Sequence, residues 1–221
     1  MMHQRIGKTI FIYLSFLIIL TTINNKNFIK FEITNIEIEG LDHDNRNNLK
    51  KKFLNIDLSN IFKIDKDLLS KTIESINLVQ QYNVFNIYPS KIKIRLKETE
   101  LIGQLNIDGI FYLVGTNGKL ISSSFINNKQ PYIFGKPEIE KILKFKSIID
   151  NSTLNYDEIQ NLYFYKSGRW DIETKDGVLI KLPSNDLKKV IKNISNIISN
   201  DNLIIKNYID ARVNNQIILY E

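Results

Sequence analysis

The side chains able to do chemistry in this 221-residue chain are few. There is no cysteine and there are two histidines, His3 and His43. Disulfides, thiolate metal sites and a cysteine nucleophile are therefore excluded. A serine or threonine nucleophile needs an activating base beside it, and the supply is thin. His3 stands ahead of an apolar run. His43 lies in Asp42-His43-Asp44, which reads either as a metal loop or, more simply, as a solvated turn capping a helix. No HExxH, EF-hand, P-loop or dinucleotide fingerprint occurs. Glu98 and Glu100 could form a carboxylate pair for glycoside hydrolysis, yet alternation at a strand end leaves both facing solvent. Trp170 with Tyr163, Phe164 and Tyr165 could form a sugar platform, although strand spacing beside a hairpin favours core packing. None of these constellations is a specific signature of catalysis or metal binding.

Charge points the same way. The formal net charge is +6, but residues 1–30 hold Arg5, Lys8, Lys26 and Lys30 and no acid. The remaining 191 residues are nearly balanced, with basic and acidic side chains interspersed. That pattern is a solvated face and not a nucleic-acid footprint. No small-molecule substrate, cofactor or metal is expected.

The elements that must position such a surface begin with an anchor. Residues 9–23 are uncharged and mostly apolar. With Ile6, Gly7 and a snorkelling Lys8 they make about 18 residues, or roughly 27 Å of helix. The continuation TTINNKNF lacks a small-residue cleavage pattern, so an uncleaved single-pass anchor is expected over residues 9–26 behind a short cytoplasmic tail, 1–8. Residues 31–99 then read strand, helix, helix, strand, strand. Asp42 or Asp44 caps the first helix and Asp65 the second. Residues 90–98 alternate Ile92, Ile94 and Leu96 with Lys91, Lys93, Arg95 and Lys97. From residue 100 the pattern is mainly β. Turns at Asp108-Gly109, Asn117-Gly118 and Asp176-Gly177 separate apolar runs at 101–107, 110–114, 162–165, 170–174 and 178–182. Helices are expected at 138–149 and 187–199, and final strands at 203–213 and 216–221.

This order resembles the FtsQ/DivIB family of bacterial cell-division proteins over nearly the whole chain. The first unit is similar to a POTRA domain at ITNIEIEG (33–40), IFKID (61–65) and NVFNIYPSKIKIRLKE (83–98). The second, 100–221, is similar to the family's β domain at DGIFYLVGTNGKLI (108–121), GRWDIETKDGVLIKLP (168–183) and YIDARVNNQIIL (208–219). Two positions depart from the pattern: Gly115 replaces an acid, and Val213 replaces an aromatic. The resemblance implies an α+β fold, with one N-terminal transmembrane helix, a β-α-α-β-β POTRA domain and a mainly antiparallel β domain carrying two or three helices. It implies a non-enzymatic scaffold in the cytoplasmic (inner) membrane at the septum, its C-terminal part periplasmic. Its partners would be division proteins of the FtsB/FtsL type, with FtsK and the septal peptidoglycan synthase complex beyond them. The expected contact is a C-terminal edge strand within residues 209–220: Ile209, Arg212, Val213, Ile217, Ile218, Leu219 and Tyr220, with Arg169 and Arg212 meeting partner acids or forming surface ion pairs. Two other readings compete. A cell-wall glycan enzyme would need a cleft with two close carboxylates. A POTRA module of an outer-membrane assembly protein would need a barrel that about 120 residues cannot build.

An uncleaved anchor predicts that protein extracted from membranes has an intact mass that includes its first 30 residues. A product beginning between residues 20 and 31 would refute it.

Overall fold

The computed structural model of the protein describes residues 2–24, 32–123, 129–198, 208–213 and 216–220. The chain divides into two compact units, Met1–Ser75 with Tyr82–Leu96, and Ile76–Gln81 with Lys97–Glu221.

Helix α1 spans Met2–Asn24, so it begins ahead of the apolar run. From Ile10 to Leu20 its large apolar side chains are exposed on every side, Phe11 at 74% and Leu20 at 54%. Among the described residues no helix is long and apolar enough to cross a membrane, and residues 25 and 26 of the expected anchor lie outside the described residues.

After α1 come β1 (Asn35–Glu39), α2 (His43–Phe53), α3 (Lys66–Glu74), β2 (Val79–Ile87) and β3 (Lys91–Glu98), in the β-α-α-β-β order expected; all but the first three residues of β2 and the last two of β3 belong to the first unit. Both caps form. Asp42 accepts the Asn45 N–H at 2.8 Å, and Asp65 accepts those of Asp67 and Leu68 at 3.0 Å. Each satisfies amides that the first helical turn leaves unpaired. The sheet runs β1-β3-β2, with β1 parallel to β3. Ile92, Ile94 and Leu96 are buried, as are Leu49, Phe53, Leu69 and Ile73 from the helices. The other face of β1 and β3 carries a charge ladder. Glu37 pairs with Lys91 and with Lys93 (3.3 Å), and Glu39 with Lys93 (2.7 Å) and Arg95 (3.2 Å). Gly40 ends β1 with φ +90°, and a Cβ there would meet the Leu96 carbonyl oxygen at 1.9 Å. Only glycine allows this left-handed exit at such close range.

The second unit is a nine-stranded sheet in the order β12-β11-β10-β9-β8-β7-β4-β5-β6. Its strands are β4 (Leu101–Ile107), β5 (Ile110–Gly115), β6 (Leu120–Ser123), β7 (Tyr132–Phe134), β8 (Ile159–Phe164), β9 (Trp170–Thr174), β10 (Leu179–Lys181), β11 (Tyr208–Asp210) and β12 (Ile218–Tyr220). Helices α4 (Ile139–Asp150) and α5 (Leu187–Ile198) follow β7 and β10. Most pairings are antiparallel, but β4–β7, β7–β8 and β10–β11 are parallel. For β7–β8 and β10–β11 the helix between the strands returns the chain to the same end of the sheet, which makes the next strand parallel. Three-residue β7 has too few residues for a period and escaped the sequence reading. The core on one face joins Ile133, Leu162, Ile172, Ile180 and Ile209 to Ile142, Phe145, Ile149, Ile191 and Ile194. Trp170 belongs there, stacked on Phe145 at 4.6 Å. The β4–β5 turn has Asp108 at φ 51° and Gly109 at φ 90°, the pair of left-handed residues that matches strand twist. At the next turn Asn117 donates its amide to the Asn77 and Val79 carbonyls at 2.8 and 3.0 Å. Gly115 sits beneath it. A Cβ there would come within 3 Å of Asn117 Oδ1 and of Thr99 Cγ2 and Oγ1, which explains the missing acid.

The ladder generates a pH prediction. Hydrogen bonds from Lys91, then Lys93, hold the Glu37 carboxyl down at about 2. A depressed folded-state value means its contribution is complete above the unfolded value of about 4.3 and is lost as pH falls towards 2. Urea midpoints of wild type should therefore fall more steeply than those of Glu37→Gln as pH is lowered through this window. Parallel curves would show that the ladder contributes nothing.

Candidate partner-binding edge

Strand β12 is the last strand in the sheet order, with β11 on one side. Its register, Tyr208↔Tyr220, Ile209↔Leu219 and Asp210↔Ile218, decides which face each side chain takes. Ile209 points into the core and is fully buried. Its side chain therefore cannot meet a partner, contrary to its place among the expected contacts. Leu219 lies on the same face but at the rim, and is 36% exposed; Val213 is 56% exposed. Ile218 is half-buried on the opposite face, and Ile217 packs against the core margin. Tyr220 lies in the strand, but its side chain is outside what is described, as are residues 203–207 of the expected strand 203–213. Beside β12 a cleft of about 190 Å³ has Val190, Ala211, Val213 and Ile217 among its lining, with Asp186 and Lys189 also at its wall.

The face of the sheet away from the helices carries alternating charge towards this edge. Registers place Asp171 opposite Lys181, and Lys181 opposite Asp210. Arg169 and Arg212 close the row. Arg169 Nε donates to Asp171 at 3.2 Å, and its guanidinium lies 4.1 Å from the centre of the Tyr165 ring. Arg212 holds Asp210 through Nε at 2.9 Å and Nη2 at 2.5 Å. Those hydrogen bonds keep the Asp210 carboxyl below the ordinary carboxylate range and raise the guanidinium. Both arginines expected to meet partner acids are thus already neutralised within the chain. A partner carboxylate would have to share them.

The other residues singled out for chemistry fall elsewhere. Asp42 caps α2, and His43 is exposed beside it. Glu98 and Glu100 are exposed. Among the described residues no group of three or more His, Asp or Glu is placed to hold a metal ion. Trp170 and Phe164 face the core, whereas Tyr163 faces away and donates to Glu173 at 2.5 Å. Burial, then that bond, push the Tyr163 hydroxyl up to about 12. The charge row was missed in the sequence because its members lie on different strands; only strand order makes them neighbours.

Buried Asp171 also accepts the Leu182 N–H at 3.3 Å. Asp171→Asn should therefore destabilise the chain by about 1–3 kcal/mol in urea unfolding, because it weakens a buried acceptor of a charged and a backbone donor. Asp210→Asn, whose arginine is open to water, should cost no more than about 1 kcal/mol. The reverse order would show that the inner pair does not support the sheet.

Known proteins bear on the whole arrangement. A sequence profile described as POTRA domain, FtsQ-type, matches residues 31–99, and one described as Cell division protein FtsQ/DivIB, C-terminal, matches residues 103–212. The chain is 22% identical over 196 residues to the cell division protein FtsQ of Rickettsia bellii, covering 84% of this chain and 71% of the relative. It is 24% identical over 200 residues to FtsQ of Rickettsia typhi, with the same coverage. Among solved structures, the major extracytoplasmic domain of the cell division protein DivIB from Geobacillus stearothermophilus matches at 14% identity and a TM-score of 0.33, over 48% of this chain and 89% of that one. The two sequence profiles run in sequence through both folded units, and on their strength the chain belongs to the FtsQ/DivIB family of cell division proteins.

Proposed function

We propose that the chain is a non-enzymatic scaffold of the division machinery. It is anchored by α1 in the cytoplasmic membrane at the septum, with both folded units outside the cytoplasm. Its β12 edge accepts a strand from a partner division protein of the FtsB/FtsL type, and through that contact it acts on the septal peptidoglycan synthase complex, with FtsK as a further partner. The anchor is supported by the all-round apolar exposure of residues 10–20, a surface that water does not accommodate and lipid does. The observation that carries the binding reading is the end position of β12 in the sheet. An edge strand presents unpaired N–H and C=O groups, and an added strand gains a backbone ladder there. Ile218 and Leu219, on opposite faces, would each be covered by side chains of that strand, and the neighbouring cleft at Val213 and Ile217 extends the apolar contact.

Proline lacks an N–H, so its effect depends on which way the replaced amide points. Ile218→Pro and Leu219→Pro sample the two directions. One should keep the far-UV circular dichroism of wild type yet lose the FtsB/FtsL-type partner in pull-down, while the other disturbs β11–β12. If both variants stay folded and both keep full partner binding, strand addition at this edge is wrong.

A further inference from the structure

Away from the β12 edge, the second unit has a cavity of about 580 Å³ at the β9–β10 turn, on the face that the helices cover. Its floor is the core itself: Ile172, Ile180 and Ile209 line it and are closed to solvent. The apolar side chains that an occupant can reach are Leu154 and Val178, both half-buried, and Ile198 at the end of α5, 42% exposed. A hollow of this size falls in the range of ordinary ligand sites, and three open apolar side chains at one place give an occupant surface to bury. The described lining shares no residue with the cleft beside β12. α5 borders that cleft through Lys189, Val190 and Asn193, and this cavity through Ile198.

The mouth is negative. The charged residues in the described lining are Glu158 and Asp176, both exposed and neither ion-paired among the described residues. Beside them in sequence stand Asp157 and Lys175, exposed and equally unpaired; it is the Lys175 backbone N–H that donates to the Glu158 carbonyl, at 2.8 Å. The other charges of these elements belong elsewhere. Asp171, Glu173, Lys181 and Asp210 alternate with the floor isoleucines and so lie on the opposite face. Asp150, at the end of α4, is paired with Lys146 at 2.5 Å, and α5 carries no charge after Lys192. Asp201 and Lys206 lie outside the described residues and cancel in formal charge. Three acids therefore stand against one lysine, on a chain whose net charge is +6. At the same mouth Thr153 Oγ1 and Asn155 Nδ2 have no hydrogen-bond partner among the described residues, while Asn155 Oδ1 accepts the Asp157 N–H at 3.0 Å.

We infer that this cavity is a docking site for a protein partner, separate from the β12 edge, and that the partner inserts an aliphatic side chain flanked by lysine or arginine. The aliphatic group covers Leu154, Val178 and Ile198, and the cation meets Glu158 and Asp176. Thr153 and Asn155 offer the inserted backbone a hydrogen-bond acceptor and donors. Anionic amphiphiles, phospholipids among them, are disfavoured by the same two carboxylates.

The test uses the full chain in phosphatidylcholine nanodiscs, with Leu, Val and Ile methyl groups labelled for NMR. Three peptides are titrated, acetyl-Lys-Ile-Leu-Lys-amide, its counterpart with Glu at both ends, and acetyl-Lys-Ser-Ser-Lys-amide. The first should shift the methyl resonances of Leu154, Val178 and Ile198 and leave those of Val213 and Ile217, beside β12, in place. The glutamate peptide should bind several-fold more weakly, and the serine peptide should shift none of them. Glu158→Gln and Asp176→Ser, both at exposed positions, should each weaken the first peptide about twofold to fivefold. About 1 M salt should remove its preference over the glutamate peptide. Equal shifts from the lysine and glutamate peptides, or from the serine peptide, overturn the inference. So does the absence of shifts at Leu154, Val178 and Ile198, the result expected if another part of the chain fills the cavity. Shifts that grow with protein concentration alone would give the surface to a second copy and overturn it as well.

Discussion

An open sheet cannot satisfy the backbone hydrogen bonding of its two outermost strands, and that constraint organises the second unit. β12 and β6 stand at the two ends of the nine-strand order. Seven inner strands use their N–H and C=O groups on both sides. Covering one face with α4 and α5 solves burial but does nothing for an edge. The core ends at the rim: Ile209 is fully buried one strand in, whereas Leu219, its register partner, is partly open. Apolar burial and backbone satisfaction thus run out at the same strand.

Charge is handled differently in the two units. On the first sheet, Glu37 and Glu39 interleave with Lys91, Lys93 and Arg95 on paired strands, and on the second, Asp171, Lys181 and Asp210 alternate across three strands with an arginine at each end. Such pairs contribute little each when exposed. Their larger effect is on register, because a one-residue slip would part the opposite charges and turn the apolar set outward.

Much of the fold was legible because it rests on local rules. The Asp42 and Asp65 caps, the alternation through Ile92, Ile94 and Leu96, and the left-handed Asp108-Gly109 turn depend on side chains acting within a few residues. Long-range features were not. β7 is three residues between Pro131 and Gly135, and it becomes a strand because β4 and β8 flank it on both sides. The parallel β7–β8 and β10–β11 pairings follow from where α4 and α5 return the chain. Ile209 looked available for contact because apolar residues read alike in a short strand; strand register put it in the core.

By itself the sequence determined the order of elements, the two-unit plan, the absence of cysteine chemistry and the apolar run of α1, since each follows from residue type and spacing along the chain. It also carried the likeness to the FtsQ/DivIB family. Tertiary structure decided strand order, and with it which strand is an edge, which charged residues of different strands become neighbours, and which apolar side chain is left at the rim. Strand order and the burial that follows from it depend on contacts between residues tens of positions apart. Their partners are set by how the sheet closes over its helices, and nothing in the spacing of a single strand encodes them.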